Sequence, residues 1–156
     1  MTEKWYITQQ TLPELLNHNA LRFGLRRAQW WKDGPQSSAS LTYAELWRLV
    51  KEAAAGLMEM GFEKGERGAV MAYTSPQWVW ADYAVICAAG ISVSIYPTLS
   101  VKEVLYMIND SGAKFLFVHD ETILNRIIEA RPEMTSLQKI ILLNGSNTNN
   151  HPDVLT

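Results

Sequence analysis

A regular alternation of short apolar runs with helical segments is the feature that most constrains how this chain folds. The apolar runs lie at residues 69–73, 91–96, 114–118 and 139–143. Each run is rich in β-branched or aromatic residues, which favour strands over helices. Strands that alternate with helices form β-α-β units, in which successive strands lie parallel in one sheet. The sequence therefore predicts an α/β fold whose mostly parallel sheet is flanked by helices.

Five segments carry the start signals of helices. Each begins with a side chain that can accept a hydrogen bond from the first helical turn, namely Thr11, Thr42, Ser75, Ser100 and Asp120. Three of these residues are followed three positions later by glutamate, the capping-box pattern. The segment after Ser75 is apolar on nearly all sides, which predicts a buried helix. Before Thr42, Asp33-Gly34 is a turn signal between two short extended runs, so we expect a hairpin at one edge.

The stretch GISVSIYPTLSVKE, residues 90–103, contains the second strand of the predicted sheet. Apolar and small polar residues alternate until Pro97 stops the strand, and the next helix begins at Ser100. Because successive side chains of a strand point to opposite faces, each face has its own set of residues. We expect a buried strand with Ile91, Val93 and Ile95 on one face and Ser92 and Ser94 packed closely on the other.

The composition is that of one globular domain. The chain has 156 residues, 47% of them apolar and 19% charged, and this length suggests a single domain. We assign residues 1–143 to an N-terminal α/β subdomain and residues 144–156, which begin with the polar run NGSNTNN, to a linker toward the remainder of a longer protein. The net charge of −2 argues against binding along nucleic acid, and the one basic pair, Arg26-Arg27, is too short for such a site.

Cysteine content and hydropathy bear on the compartment. Cys87 is the only cysteine, so a disulfide framework is excluded, which fits a reducing cytosol. The most apolar stretch, residues 79–96, contains Asp82 and Gly90 and falls short of the roughly 20 apolar residues that a membrane span needs. We therefore predict a cytoplasmic protein without a transmembrane segment, and leave open a peripheral contact with a membrane.

Motifs for nucleotide, metal or nucleophile chemistry are weak. Gly56 and Gly61 have the glycine spacing of a phosphate-binding Walker loop, but Phe-Glu follows them where Lys-Ser is needed. The histidines His18, His119 and His151 are too far apart in sequence for a recognisable metal motif. Cys87 lies in an apolar helix, where a thiol is usually inert.

Two segments allow both a functional and a structural interpretation. His119-Asp120-Glu121 follows a strand, so it lies at the carboxyl edge of the sheet, where ligands of α/β proteins usually bind. We favour Asp120 as a helix cap and Glu121 as a complement to the helix dipole. The aromatic residues of PQWVWADYAV, residues 76–85, could line a lipid pocket, but their helical spacing favours the core.

Four sequence blocks occur in a distinctive order. They are LTYAEL, GFEKGERGAVMAYTSPQWVWADYAV, AAGISVSIYPTLSVKEVLYMINDSGAKFLFV and LQKIILLNG. In this order the chain resembles, from about Leu12 to Gly145, the N-terminal part of the adenylate-forming superfamily, which includes acyl-CoA synthetases, luciferases and the adenylation domains of peptide synthetases. Within the superfamily, IYPTLS is most similar to long-chain fatty acyl-CoA synthetases.

The resemblance implies an activity for a longer parent enzyme. A fatty acid carboxylate would attack the α-phosphate of Mg-ATP, and the CoA thiol would then convert the acyl-adenylate to acyl-CoA and AMP, so ATP, Mg and CoA are implied as cofactors of the parent. The superfamily's phosphate loop, its adenine and ribose motifs and its catalytic lysine normally lie downstream of these blocks. We therefore predict an N-terminal fragment that is inactive alone and contains no catalytic, cofactor-binding or metal residue.

The resemblance also implies partners and leaves alternatives open. A fatty acid would be the substrate of the parent, and the isolated piece would expose an apolar surface that favours self-association or a homodimer. Three departures from the common pattern occur: Glu66 and Gly68 in Gly-Glu-Arg-Gly where Gly-Asp-Arg-Val is common, Gln77 in place of Glu, and Ser94 in place of Pro. Another acyl, aryl or luciferase-like acid stays possible, as does a stand-alone, non-catalytic α/β module that binds a partner or small ligand.

Overall fold

The first described part of the chain consists of two helices with a hairpin between them in sequence. The structure is a computed structural model that describes residues 9–148 and 151–156. Its first elements are α1 (Leu12–Phe23), the antiparallel strands β1 (Arg27–Lys32) and β2 (Ser38–Thr42), and α2 (Tyr43–Glu59). The hairpin turns at Gly34, whose φ of +130° favours glycine. The predicted edge hairpin is therefore confirmed.

A parallel five-stranded sheet forms the body of the molecule. Its elements are β3 (Arg67–Met71), α3 (Pro76–Cys87), β4 (Ile91–Ile95), α4 (Val101–Ser111), β5 (Phe115–Val118), α5 (Glu121–Ile127), a 3-10 helix (Ile128–Glu133), β6 (Lys139–Leu142) and β7 (Val154–Leu155). The strand order is β4-β3-β5-β6-β7, and all neighbours are parallel. The predicted α/β class with a mostly parallel sheet is confirmed.

All five predicted helix starts are confirmed by cap hydrogen bonds. In α1, α2 and α4 the capping box is complete: the Glu45 amide, for example, donates to the Thr42 hydroxyl, and the Thr42 amide donates back to the Glu45 carboxylate at 2.8 Å. In α3 and α5 a single side chain caps the helix, since Ser75 accepts from Trp78 and Asp120 accepts from Ile123. These local hydrogen bonds fix the residue at which each helix begins.

Helices cover both faces of the sheet. Along β5, Leu116 and Val118 point into a core shared with α4, α5 and β6, whereas Phe115 and Phe117 point into a second core shared with α2 and α3. The alternation follows from the period of two along a strand. All four residues of β5 are buried, because helices pack on both faces and strands lie on both sides.

The prediction of a strand at 91–96 is confirmed, but the prediction that this strand is buried is wrong. In β4, Ile95 is buried, but Ile91 keeps 55% of its surface exposed and Ser94 is exposed. The physical reason is position: β4 pairs with β3 on one side and with no other described strand on its other side. An edge strand needs the same apolar residues for its inner face, so the sequence alone does not separate the two cases.

The prediction that α3 is a buried helix is confirmed in part, since none of its residues is exposed. Only Ala81, Ala84 and Val85 of this helix are buried. Trp80 and Tyr83 pack, half-buried, against a smaller cluster formed with α1 and α2. The indole nitrogen of Trp80 donates to the Gln29 side chain at 2.7 Å, so α3 connects the sheet to the hairpin.

Residues 144–156, predicted to be a polar linker, contribute β7 to the sheet. Val154 and Leu155 pair with Ile140 and Ile141 of β6. Arg131 holds this segment, because its guanidinium donates to the Asp153 carboxylate at 2.9 Å. A two-residue strand after a run of asparagines gives too short an apolar pattern to be read from sequence. The division between a subdomain and a linker itself stays a prediction.

Candidate functional site

A groove opens at the carboxyl edge of the sheet, where β3 and β4 end. The two strands are parallel neighbours, so the chain leaves both at the same edge. After β3 it passes through Ala72–Thr74 to the cap of α3, and after β4 it passes through Tyr96–Thr98 to the cap of α4. These two connections, with Trp78, Ser94 and Ile95, line a groove with a volume of about 570 Å³. This edge is where α/β proteins commonly bind ligands.

The walls of the groove are aromatic and uncharged. Tyr73, Trp78 and Tyr96 supply ring surface, and the hydroxyls of Thr74, Ser94 and Thr98 supply hydrogen-bonding groups. Tyr96 is 77% exposed, so its ring stands in solvent rather than in the core. No Asp, Glu, Lys, Arg or His is among the lining residues. Such a surface suits an apolar or aromatic group with a few hydrogen bonds and lacks the cations that phosphates require.

The turn that follows β4 is held from a distant helix. Arg126 of α5 donates from its guanidinium to the carbonyl of Pro97, 29 residues away in sequence. Within the turn, the Leu99 amide donates to the Tyr96 carbonyl at 3.2 Å. The capping box of Ser100 and Glu103 then begins α4. The Tyr96–Thr98 wall is therefore fixed both by its own turn and by the unit around β5.

His119 lies one strand away from the groove, at the end of β5. Its ring meets the ring of Tyr73 edge to face, with centroids 5.3 Å apart and planes at 87°. Its amide donates to the Met71 carbonyl at 3.1 Å, and the Asn144 side chain donates to its carbonyl at 3.0 Å. Its Nδ1 atom is buried and has no hydrogen-bond partner among the described residues. The ring of His119 therefore packs against the ring of Tyr73 and supports this part of the groove wall.

The favoured interpretation of Asp120 is confirmed, and Glu121 has a further role. The Asp120 carboxylate accepts from the Ile123 amide at 3.0 Å, as a helix cap does. The Glu121 carboxylate accepts from the backbone amide of Thr148 at 2.9 Å and from its hydroxyl at 2.7 Å. These bonds lower the pKa of Glu121, since they favour its charged form. Glu121 thus anchors the loop that leads to β7.

The other candidate residues are not brought together. His18 lies on α1, and the backbone amide of His151, near β7, donates to the Asn147 side chain at 3.0 Å. Cys87 ends α3, and burial raises the pKa of its thiol, which makes it a poor nucleophile. Within residues 9–148 and 151–156, no group of three or more His, Cys, Asp and Glu side chains could hold a metal ion. Gly61 follows the carboxyl end of α2, where carbonyls rather than amides are exposed.

Comparison with known proteins shows the family to which the chain belongs. The family model described as AMP-binding enzyme matches residues 16–154. The chain belongs to the AMP-binding enzyme family. A relative with 28% identity over 86% of the chain is the long-chain-fatty-acid–CoA ligase ACSBG2 of Rattus norvegicus, and another with 28% identity over 70% is the long-chain-fatty-acid–CoA ligase FadD15 of Mycobacterium bovis. The chain spans 20% and 18% of the lengths of these two proteins.

Solved structures of other enzymes share the fold. The chain is similar to a long-chain-fatty-acid–CoA ligase (FadD1) from Archaeoglobus fulgidus, with a TM-score of 0.75 and 24% identity, over 92% of this chain and 29% of that one. It is similar also to acetoacetyl-CoA synthetase from Streptomyces lividans, with a TM-score of 0.79 and 24% identity, over 92% of this chain and 23% of that one. The sheet and helices described above are thus one part of a larger AMP-binding fold.

Neither the groove nor the glycine pair Gly56 and Gly61 has the features of a phosphate-binding site. The groove contains no cation for phosphates, and the glycine pair of α2 lies at the wrong end of a helix to receive an anion. The prediction that this segment contains no catalytic, cofactor-binding or metal residue stays a prediction. Sequence reasoning missed Tyr73 and Tyr96 as lining residues of the groove; it weighed Trp78 as part of a pocket but favoured the core. The available signal for the two tyrosines was their position just after two successive parallel strands.

Proposed function

We propose that this chain is the N-terminal part of an AMP-forming long-chain fatty acid–CoA ligase. The family supports an adenylate-forming enzyme, and the relatives named above are long-chain-fatty-acid–CoA ligases. A carboxylate oxygen of the fatty acid attacks the α-phosphorus of ATP, and pyrophosphate leaves. The sulfur of CoA then attacks the acyl carbon, and AMP leaves. ATP, Mg and CoA are the cofactors that this reaction requires, and cytoplasmic location with peripheral contact to a membrane belongs to the same proposal.

The part of the enzyme described here has two roles in this proposal. Its sheet, with helices on both faces, is a scaffold against which the rest of the ligase packs. Its groove forms one wall of the entrance for the acyl chain or for the thiol-bearing arm of CoA. The observation that carries the second role is the uncharged aromatic lining formed by Tyr73, Trp78 and Tyr96, which suits a flexible apolar group and not a triphosphate.

The test of the proposal is a pair of assays on two proteins. One is the product of the whole reading frame that contains these residues, and the other is the 156-residue chain alone. We expect the whole product to catalyse ATP–pyrophosphate exchange that depends on a long-chain fatty acid, and to form acyl-CoA. We expect the 156-residue chain to do neither, and to associate with itself in sedimentation velocity runs.

Three results would contradict the proposal in different ways. A reading frame without the phosphate loop downstream would favour a stand-alone, non-catalytic module. Exchange supported by an aryl or medium-chain acid, and not by a long-chain acid, would keep the family and change the substrate. Exchange by the 156-residue chain itself would mean that its own residues bind ATP.

The groove has a test of its own within the whole product. Ser94→Trp places a large ring in the groove at an exposed position of β4, away from the buried core. We expect this substitution to raise the KM for the acid or for CoA and to leave the KM for ATP within about twofold. Lys64→Trp, on an exposed turn outside the groove, is the matched control. Unchanged KM values for both the acid and CoA would mean that the groove is not part of the entrance.

A further inference from the structure

A second cavity lies where the first two helices meet α3. Its apolar walls include Leu16 of α1, Leu46 of α2 and Val79 of α3, and its volume is about 250 Å³. Leu16 and Leu46 are buried, so the floor of the cavity belongs to the cluster that joins the N-terminal helices to α3. We call it the two-tyrosine cavity, because Tyr43 of α2 and Tyr83 of α3 also line it.

Polar side chains that line the two-tyrosine cavity are only partly used by hydrogen bonds within the chain. The Gln29 oxygen accepts from the Trp80 indole at 2.7 Å, and the nitrogen of the same amide has no partner among the described residues. The side chains of Asn19, Tyr43 and Tyr83 form no hydrogen bond with any residue in 9–148 or 151–156. Donors and acceptors that line one cavity without partners are available to a bound polar group.

The two-tyrosine cavity is uncharged. Its lining residues in the described part of the chain include no Asp, Glu, Lys, Arg or His. Burial, and then the negative charge of Asp82, raise the pKa of Tyr83, so its hydroxyl keeps its proton and can donate. Asp82 would also repel an anion placed at that hydroxyl, and the lining offers a cation no carboxylate to pair with. The cavity therefore suits a neutral ligand.

The size of the two-tyrosine cavity limits its ligand to one ring. A cavity of about 150 Å³ is enough to hold benzene, whereas pockets for drug-sized molecules measure about 300–1,000 Å³. At about 250 Å³ this cavity has room for a ring with one small substituent. A pure hydrocarbon would remove water from the polar side chains without replacing its hydrogen bonds. The substituent should therefore both donate and accept, as an amide or a hydroxyl does.

We propose that the two-tyrosine cavity binds an uncharged single-ring aromatic compound that carries an amide or a hydroxyl group. The ring packs on Leu16, Leu46 and Val79, and the polar group exchanges hydrogen bonds with the Tyr83 hydroxyl and the free nitrogen of Gln29. The site is distinct from the groove at the end of β3 and β4, since no described residue lines both. Its occupation therefore does not require the acid or the CoA of the proposed reaction.

The test titrates the isotope-labelled 156-residue chain with benzamide and follows the backbone amide signals by NMR. Benzoate, which has the same ring with a negative charge in place of the amide, is the matched control probe. We expect benzamide to bind saturably with a Kd of about 1 mM or below, and benzoate to bind at least about tenfold more weakly. The largest shifts are expected at the amides of Ala28 and Val79, which line the cavity, and not at Thr74 and Thr98, which line the groove.

Two pairs of matched variants test the polar group and the space separately. Tyr83→Phe removes one hydroxyl and keeps the ring, so it should weaken benzamide binding about threefold to tenfold. Ala28→Leu fills part of the cavity and should weaken binding at least about tenfold. Tyr106→Phe and Ala20→Leu make the same changes outside the cavity and should bind within about twofold of the unchanged chain. Thermal unfolding checks the fold of each variant, and if Ala28→Leu unfolds, Tyr83→Phe still tests the site.

Four outcomes would overturn the proposal. They are the absence of saturable shifts with benzamide, which would mean that the cavity takes water alone, equal binding of benzoate, shifts centred on Thr74 and Thr98, and Tyr83→Phe and Ala28→Leu variants that bind like their controls. The titration involves no fatty acid, ATP or CoA. A failure of the ligase proposal therefore leaves this one unchanged, and a failure here leaves the ligase proposal unchanged.

Discussion

The strands β4 and β5 are both apolar, both parallel and both paired with β3, yet they have opposite environments. Arg67 of β3 lies opposite Ile91 of β4, and Gly68 lies opposite Phe115 of β5. All four residues of β5 are buried, whereas β4 is half-exposed. The difference arises from what lies on the far side of each strand: β6 covers β5, and no described strand covers β4.

Because of this contrast, we expect the β5 side of the sheet to contribute most to stability and the β4 side to contribute to binding. The β5 side contains the large cores in which α4, α5 and β6 meet the sheet. The β4 side contains the groove, the exposed ring of Tyr96 and the exposed Ile91. Substitutions on the two sides should therefore differ in kind as well as in size, and the following four predictions are ordered from the largest expected effect to the smallest.

The largest effect is expected for Leu116→Ala in β5. Leu116 has no exposed surface, so the substitution removes buried methyl groups and leaves a cavity. We expect a loss of about 2–5 kcal/mol in the free energy of unfolding. Ile91→Ala in β4 is the matched control and should cost less than about 1 kcal/mol, because most of that side chain is already in water. Urea unfolding measures both, and equal losses would contradict the contrast between the strands.

The sequence predicts that both segments form strands, but it does not predict how far each strand is buried. Caps at Thr42, Ser75 and Ser100 are local signals, since each hydrogen bond joins residues three apart, and all were predictable. Whether a strand lies at an edge depends on pairing with distant segments, so 91–96 was wrongly expected to be buried. The two-residue β7 depends on pairing in the same way.

The groove was less predictable than the fold for a related reason. Its lining comes from three segments, the end of β3, the start of α3 and the turn after β4. Helical spacing placed the aromatic residues of α3 in the core, and Trp78, Trp80 and Tyr83 all pack half-buried against core clusters, but Trp78 also lines the groove. The anchoring of loop 144–148 by Glu121, and of the Pro97 turn by Arg126, joins residues 27 and 29 apart in sequence. No local pattern carries such contacts.

The second prediction concerns the connection from α3 to β4. A Cβ atom at Gly90 would lie 2.4 Å from a ring carbon of Phe62 and 3.0 Å from the Val85 carbonyl oxygen. We expect Gly90→Ala to lower stability by about 1–3 kcal/mol through overpacking. Gly56→Ala is the control with the opposite sign: nothing lies within 4 Å of its Cβ position, and within α2 alanine should stabilise by about 0.5–1 kcal/mol. If the melting temperatures of both variants shift in the same direction, this prediction is contradicted.

The third prediction concerns the helix that follows the edge strand. Ser100→Ala removes the hydroxyl that caps α4 and should cost about 1 kcal/mol. Hydrogen bonds from the Ser100 hydroxyl and amide lower the pKa of Glu103 below its ordinary value of 4.5. Because the folded pKa is the lower one, this contribution is complete above pH 4.5 and is lost as the pH falls through the folded value. The stability difference between the unchanged chain and Glu103→Gln should therefore shrink on acidification below that pH in urea unfolding, and a constant difference would contradict it.

The smallest effect on global stability is expected for Arg126→Gln, and it tests whether the groove wall depends on the β5 side of the molecule. Arg126 is an exposed residue, although its bond to the Pro97 carbonyl is partly buried, so water competes for this bond and we expect a loss below about 1 kcal/mol. The turn itself should respond more: hydrogen exchange at the Leu99 amide, which closes the turn onto Tyr96, should become faster. Arg48→Gln, which removes an exposed ion pair with Glu52 on α2, should leave that amide unchanged. If Leu99 exchanges at the same rate in all three proteins, the wall is ordered by its own turn and by the cap of α4. If only Arg126→Gln accelerates this exchange, then α5, on the buried β5 side, orders the turn that follows β4. In that case Arg126 couples the two sides of the sheet.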